Sequence, residues 1–431
     1  MGAEALYKLP GLPHQPADRR QWSGLPDAAQ SLVIAETAKA SQEAVLVVTA
    51  DTQAAERIHA ELSFFLADEV PILRLPDWET LIYDSFSPHQ DIVSDRLAVF
   101  NRLPGLSHCI IVVPTTTLLQ KTAPKEFILG SSLLLNPGQK FDINTMRHQL
   151  QGAAYNAVAT VLEHGEYAVR GSIMDIYPMG SPLPFRIDLF DDEIETIRTF
   201  DPETQRSIVQ VDGIDLLPAR EFPLTEEAIK RFQDQWFLRF QGDAQDCPIY
   251  RDVSSGLSPA GIEYYLPLFF DGLGTLFDYL PDKTLVFCED MQAQLDNFLA
   301  EADERYESLR HDVQRPILAP KELLLGSDEL FARLKQYPRI DLSADRQGSA
   351  RSGAEQFDFA PLPDLTVADR AAKPLAALAD FLASDKRRLL IAAESNGRRE
   401  VVDTLLAKHG LQAAHADSWA DFVRSSQTPL A

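Results

Sequence analysis

Cysteine is scarce in this chain. Cys109, Cys247 and Cys288 are odd in number and scattered, with no CxxC pair. That excludes a disulfide framework, argues against a zinc site and suits a reducing cytoplasm. Long apolar runs are missing as well: no stretch approaches the roughly 18–20 residues that a membrane-spanning helix needs. The start, MGAEALYKLPGLP, has neither the basic nor the apolar region of a signal peptide. A soluble, cytoplasmic chain is therefore expected, with no membrane partner. Positive charge is also in deficit. Against 64 Asp and Glu stand 40 Lys and Arg, a net charge of −24, and such a chain repels phosphate backbones unless basic residues cluster. The short basic runs at 386–388 and 398–399 have acids nearby and read as solvated faces.

A further absence concerns chemistry. A phosphate-binding loop needs glycines, so that backbone N–H groups can cradle phosphate, a lysine for the β- and γ-phosphates and a Ser or Thr for magnesium. The place to look precedes the first strand–helix unit, where the sequence reads WSGLPDAAQSL from Trp22 to Leu32. It has one glycine, Gly24, no lysine, and an acid, Asp27, where phosphate would sit. The matching magnesium-binding acids should end an apolar strand. In TLVFCED, Cys288 stands where the first acid is expected, and Glu289 and Asp290 follow as a pair better explained as acids at a helix N-terminus. Asp84, Ser85 and His89 lie close together in YDSFSPHQD, but triads are assembled from distant segments; a polar loop with Asp91 capping the next helix is the simpler reading. The acids at 191–193 and Glu195 fall between two alternating strands and read as a hairpin turn. The sequence predicts no catalytic residue, no cofactor and no metal for this segment.

What is present is a large α/β pattern. At roughly 150 residues per domain, 431 residues suggest about three domains. EAVLVVTA (43–50), PILRL (71–75) and CIIVV (109–113) read as buried strands. Between them lie helices, one carrying Ala55, Ile58, Leu62 and Phe65, the next Val93, Leu97 and Phe100. Strands alternating with helices imply a parallel sheet covered on both faces. From about 127 to 217 the pattern changes to short strands with one helix near 144–151, an α+β insert. A helix capped by Thr225 follows, then the strand KTLVFC (283–288), so the α/β domain resumes. Residues rich in Ser, Gly, Ala and Pro between 341 and 364 read as a linker. Beyond it, a helix over 371–382, a strand RLLIAA and a helix over 398–408 begin another α/β unit. The expected domains are 1–126, the insert 127–217, 218–345 completing the first, a linker 346–365, and a small, incomplete α/β domain 366–431.

The insert holds the strongest functional signal. In HGEYAVRGSIMDIYP and PFRIDLFDDEIETIRTFDPETQR, alternate strand residues share a face. Phe185, Ile187 and Leu189 point one way; Arg186, Asp188 and Phe190 point the other, with Arg170 on the preceding strand. Arginines and an aromatic on an otherwise polar face are the usual anchors of protein interfaces. Pattern alone leaves equally open that Phe190 packs under a helix and the arginines make surface ion pairs.

These two stretches, with LPDWETLIYDSFSPHQDIVSDR, resemble the N-terminal region of the bacterial transcription-repair coupling factors, and the insert resembles domain 2 of the excision-repair helicase UvrB. The resemblance implies a degenerate RecA/helicase-like parallel-sheet domain that has lost ATP binding and an insert that binds UvrA through Arg170, Arg186 and Phe190. The two arginines would pair with acids of UvrA, and Phe190 would fill an apolar pocket. It further implies that RNA polymerase and DNA are contacted, and ATP and magnesium used, by a translocase C-terminal to this segment. A non-catalytic, monomeric adaptor is the leading expectation. A DNA-binding or ATP-dependent helicase module is the alternative.

Overall fold

The computed structural model describes residues 9–26, 28–345, 354–360, 362–367, 373–384, 387–393, 395–424 and 430. Asp27, the start of the helix expected over 371–382 and Lys386 lie outside them. In chain order, the first part is β1 (Arg19–Ser23), α1 (Ala29–Ser41), β2 (Ala44–Thr49), α2 (Thr52–Leu66), β3 (Ile72–Arg74), α3 (Gln90–Arg102), β4 (Ile110–Pro114) and the short helices α4 (Thr115–Leu119) and α5 (Lys125–Gly130). The insert holds β5 (Leu133–Leu135), α6 (Ile143–Gly152), β6 (Asn156–Ala157), β7 (Glu166–Arg170), β8 (Ile173–Ile176), β9 (Phe185–Phe190), β10 (Glu193–Phe200), β11 (Ser207–Val211) and β12 (Ile214–Leu216). Then come α7 (Glu226–Arg239), α8 (Pro248–Ser254), β13 (Thr284–Cys288), α9 (Gln292–Leu309), α10 (Pro320–Leu323), α11 (Ser327–Leu334), β14 (Arg339–Leu342), β15 (Ala354–Gln356), α12 (Ala376–Ser384), α13 (Asn396–Lys408) and α14 (Trp419–Arg424).

β1–β4 and β13–β15 form one seven-stranded sheet in the order β15-β1-β14-β13-β2-β4-β3, with every neighbouring pair parallel. Its central strands are apolar throughout because both faces are covered. Val45, Val47, Ile110 and Val112 pack with Val33 and Ile34 of α1 and Ile58 and Leu62 of α2. Leu46, Val48, Ile111 and Val113 face the other way, toward Leu97 and Phe100 of α3 and Leu295 of α9. That second cluster runs unbroken into the insert, through Met146 and Leu150 of α6 to Met174 and Ile187.

The insert is a six-stranded sheet, β11-β10-β9-β8-β7-β6, antiparallel except for β6–β7, with a separate β12–β5 ribbon. It seats on α3. Ser94 Oγ accepts from Gly180 N–H at 2.8 Å, and His164 Nδ1 lies 2.8 Å from Asp91 Oδ1. Next to this seat α3 buries Arg96, 0% exposed. Its Nε donates to Glu221 Oε1 at 2.8 Å and its Nη1 to Pro76 O at 3.0 Å, while Trp78 and Phe100 flank the guanidinium. Thr225 caps α7, its hydroxyl accepting from Ala228 N–H, and Phe232 and Trp236 enter an aromatic cluster with Tyr250, Tyr265 and Phe269.

Three local readings change. The stretch expected to be a plain linker carries β15, which pairs with β1, and Phe357 beyond it is buried against Trp22. RLLIAA forms no strand among the described residues beyond a single bridge, Leu389 to Leu430. His89, not Asp91, caps α3: its Nδ1 accepts from Asp91 N–H at 3.3 Å, and Asp91 sits in the first turn.

Candidate protein-docking site

Two tight hairpins build the face. β7 and β8 are joined by Gly171–Ser172 and β9 and β10 by Asp191–Asp192, with Gly171 at φ +63° and Asp191 at φ +53°. Short polar residues and glycine are the types that tolerate this left-handed backbone. The turns fix the register: Arg170 lies opposite Ile173, Ile173 opposite Asp188, and Asp175 opposite Arg186. A bulge in β10 between Ile194 and Thr196 resets the alternation, so that Ile194 and Ile197 both face inward and Arg198 faces out opposite Arg186.

Inward, Tyr167, Met174, Ile187, Leu189, Ile194 and Ile197 are buried against α6. Outward, the three predicted residues have different surroundings. Phe190, at the end of β9, is 69% exposed. Arg170 is exposed; its Nη2 donates to Ala159 O at 2.7 Å and to Thr160 Oγ1 at 3.3 Å, and no carboxylate of the described residues pairs with it. From strand and pleat spacings, Arg170 and Phe190 stand roughly 12 Å apart at the same end of the sheet.

Arg186 departs from expectation. Rather than waiting for a partner's acid, it holds one of its own: Nε donates to Asp175 Oδ1 at 2.7 Å and Nη2 to Asp175 Oδ2 at 2.9 Å. Nη1 donates to Gln205 O at 3.1 Å, and the guanidinium lies 4.8 Å over the Phe200 ring. Hydrogen bonds to Asp175 hold the guanidinium pKa above its ordinary value. Asp175 is 2% exposed, so the pair is a largely desolvated, bidentate one. Three of the five guanidinium N–H donors are engaged, leaving two for a partner.

Sequence reasoning missed the acids. Asp188 pairs with Arg198 and accepts from Thr196 Oγ1 at 2.9 Å. An acid between two buried apolar residues, as Asp175 is between Met174 and Ile176, signals a hidden cation, but the register that supplies it is not visible in the sequence. The face thus carries two neutralised Arg–Asp pairs, one unneutralised cation and one exposed aromatic.

At the C-terminal edge of the parallel sheet a cleft of about 600 Å³ is lined by Gln30, Ala50, Glu289 and Asp290 among others. β1 ends at Ser23 and α1 begins at Ala29, so the described residues around Gly24 and Leu25 have the placement of a phosphate loop. Here Gly24 N–H donates to Asp345 O at 3.1 Å and Leu25 N–H to Ser343 O at 3.3 Å. Gly24 sits at φ +73°, and a Cβ there would come within 2.3 Å of Phe357 O. Glu289 Oε2 accepts from Ala50 N–H at 3.0 Å, and Arg57 Nη2 donates to Oε1 at 3.4 Å. Burial raises the Glu289 carboxyl and pushes the Cys288 thiol up to about 12. Asp290 Oδ1 accepts from Gln292 N–H at the start of α9. Asp84 and His89 go to separate partners, Arg305 and Asp91 N–H. Among the described residues, no group of three or more His, Cys, Asp and Glu could hold a metal ion, and no helix is long and apolar enough to cross a membrane.

Residues 133–222 match the family model described as the UvrB interaction domain, which takes in the whole face. Curated relatives match far beyond it. The transcription-repair-coupling factor of Haemophilus influenzae is 42% identical over 409 residues, 94% of this chain and 35% of that protein. That of Escherichia coli is 42% identical over 399 residues, 92% of this chain and 34% of that protein. The chain belongs to the transcription-repair-coupling factor family. Residues 381–431 match a second model, the D3 domain of the same factors. The chain spans about a third of the length of these curated relatives.

Proposed function

We propose that this chain is a non-catalytic adaptor of transcription-coupled nucleotide excision repair, and that the outer face of its insert receives UvrA. The observation that carries the reading is Phe190, a large aromatic left 69% exposed at the same end of the sheet as an unneutralised arginine, inside the stretch that matches the UvrB interaction domain. Phe190 enters an apolar pocket of the partner, and Arg170 meets an acid. Arg186 contributes its two free N–H groups while Asp175 keeps it in place. Recruitment to stalled RNA polymerase, and any DNA contact or ATP-driven translocation, we assign to the two thirds of the relatives' length that this chain does not span.

The same reading treats the parallel-sheet body as scaffold. The first amides of the strand–helix turn already donate to backbone carbonyls, and a carboxylate, Glu289, occupies the Ala50 amide. A phosphate would have to displace both. The −24 charge disfavours nucleic acid as a ligand of this chain. Titrating UvrA against the chain and its Phe190→Ala and Arg170→Ala variants tests the docking assignment; equal affinity for all three overturns it. ATP binding measurable on this chain alone would overturn the scaffold assignment.

A further inference from the structure

The loop 77–89 holds an observation that the adaptor reading does not use. Two of its non-glycine residues, Glu79 at φ +58° and Tyr83 at φ +65°, adopt left-handed backbone. Such strain persists only where the surroundings over-determine it, and here they do. Tyr264 Oη donates to Leu81 O at 2.7 Å, Arg305 Nε to Ile82 O at 2.7 Å and Tyr83 Oη to Leu318 O at 2.8 Å. Ser87 Oγ donates to Glu263 Oε2 at 2.8 Å, and Arg315 donates to Asp84 O. Gly261 lets the loop seat: a Cβ there would lie 2.8 Å from Asp84 O.

This bracing buries Trp78, Ile82 and Tyr83 yet leaves Leu81 51% and Phe86 70% exposed. A rigid loop holding two apolar side chains in water is preorganised for an interface, since little order remains to be lost on binding. The nearby arginines, Arg305 and Arg315, are engaged with Asp84, so Glu79 and Asp91 supply the loop's solvent-facing carboxylates. That rim repels nucleic acid and suits a protein pocket edged with basic groups.

The loop packs toward the Arg186 end of the docking face, the end opposite Arg170 and Phe190. It runs into Asp91, which contacts His164; the His164 ring packs at a tilt against Tyr177, centroids 4.0 Å apart. Tyr177 shares a small apolar cluster with Phe200, the ring beneath Arg186. We infer that Phe86 and Leu81 form a second anchor of one docking surface, entering an apolar pocket with a basic rim on the same partner protein that takes the insert's sheet. This rests on the docking reading above.

The test titrates UvrA against the 431-residue chain carrying Phe86→Ala, Leu81→Ser or Phe190→Ala, with thermal melts confirming that these exposed changes leave the fold intact. Phe86→Ala is expected to weaken binding about tenfold or more, the scale of a buried aromatic anchor, with Leu81→Ser weakening it less. If Phe190→Ala weakens binding and neither loop variant does, the second anchor is wrong and the sheet reading stands. If none of the three matters, both are wrong. If only the loop variants matter, the sheet is not the dock and the shared surface falls.

Discussion

The C-terminal edge of the parallel sheet and the outer face of the insert are both places where strands present side chains and turns to solvent, and they end differently. At the sheet edge the chain satisfies itself: Gly24 and Leu25 N–H meet carbonyls from the 343–345 segment, and Glu289 meets Ala50 N–H and Arg57. On the insert, pairing stops short of completion. Asp175 and Asp188 neutralise Arg186 and Arg198, but Arg170 and Phe190 have no such partner among the described residues. The difference teaches where to look for a partner: not where charged residues are most numerous, but where the internal pairing leaves something over.

The largest effect is expected at the buried ion pair of α3, beside the seat of the insert. Arg96→Met leaves Glu221 buried without its cation and should destabilise the fold by about 3–5 kcal/mol, measured by chemical denaturation. An unchanged midpoint would mean that the Arg96–Glu221 pair adds nothing to the fold. Next comes a pair of opposite outcomes. Phe190→Ala should cost about 2 kcal/mol or more in UvrA affinity while moving stability by less than about 0.5 kcal/mol. Gly24→Ala should do the reverse, losing about 1–3 kcal/mol of stability from the left-handed backbone and the Phe357 clash with UvrA affinity unchanged. If Gly24→Ala altered binding as well, the two regions would be coupled. Arg186→Ala falls between them. It should cost about 1–3 kcal/mol of stability by stranding Asp175, which separates it from Phe190→Ala in a melt.

The smallest effect is a pH dependence at the sheet edge. Burial holds the Glu289 carboxyl above its ordinary value, so the folded chain binds that proton more tightly than the unfolded one. Its favourable contribution is present below the ordinary carboxylate range and is lost as pH rises through the raised value. Melts across that range should therefore show Glu289→Gln gaining on the parent as pH rises. Parallel curves would place the carboxylate in water.

Much of this was legible in the sequence. The uninterrupted apolar runs of β2, β4 and β13 can only be strands covered on both faces, and the spacing in α2, α3 and α7 fixes their buried sides. The outward phase of Arg186 and Phe190 follows from alternation in β9. What escaped depends on long-range register. β15 is three residues with no pattern of their own, made a strand by β1, more than 300 residues earlier. Asp175 becomes the counter-ion of Arg186 only once β8 and β9 are aligned. The cap of α3 escaped because an imidazole nitrogen took a role usually played by Asp or Ser.

The bulge in β10 has a consequence that reaches beyond its own strand. Alternation is a two-beat code, and the bulge lets β10 absorb the extra residue Glu195 without falling out of step after Ile194. Straightening the strand with Glu195 kept would act as a frameshift in space. Every side chain downstream would change sides, sending Arg198 toward the core and Ile197 into water, and the Asp188 carboxylate would lose its cation. Deleting that one exposed glutamate removes the extra beat instead, leaving Ile197 inward and Arg198 outward, so half of the charge pattern of the docking face depends on the bulge only because Glu195 is there.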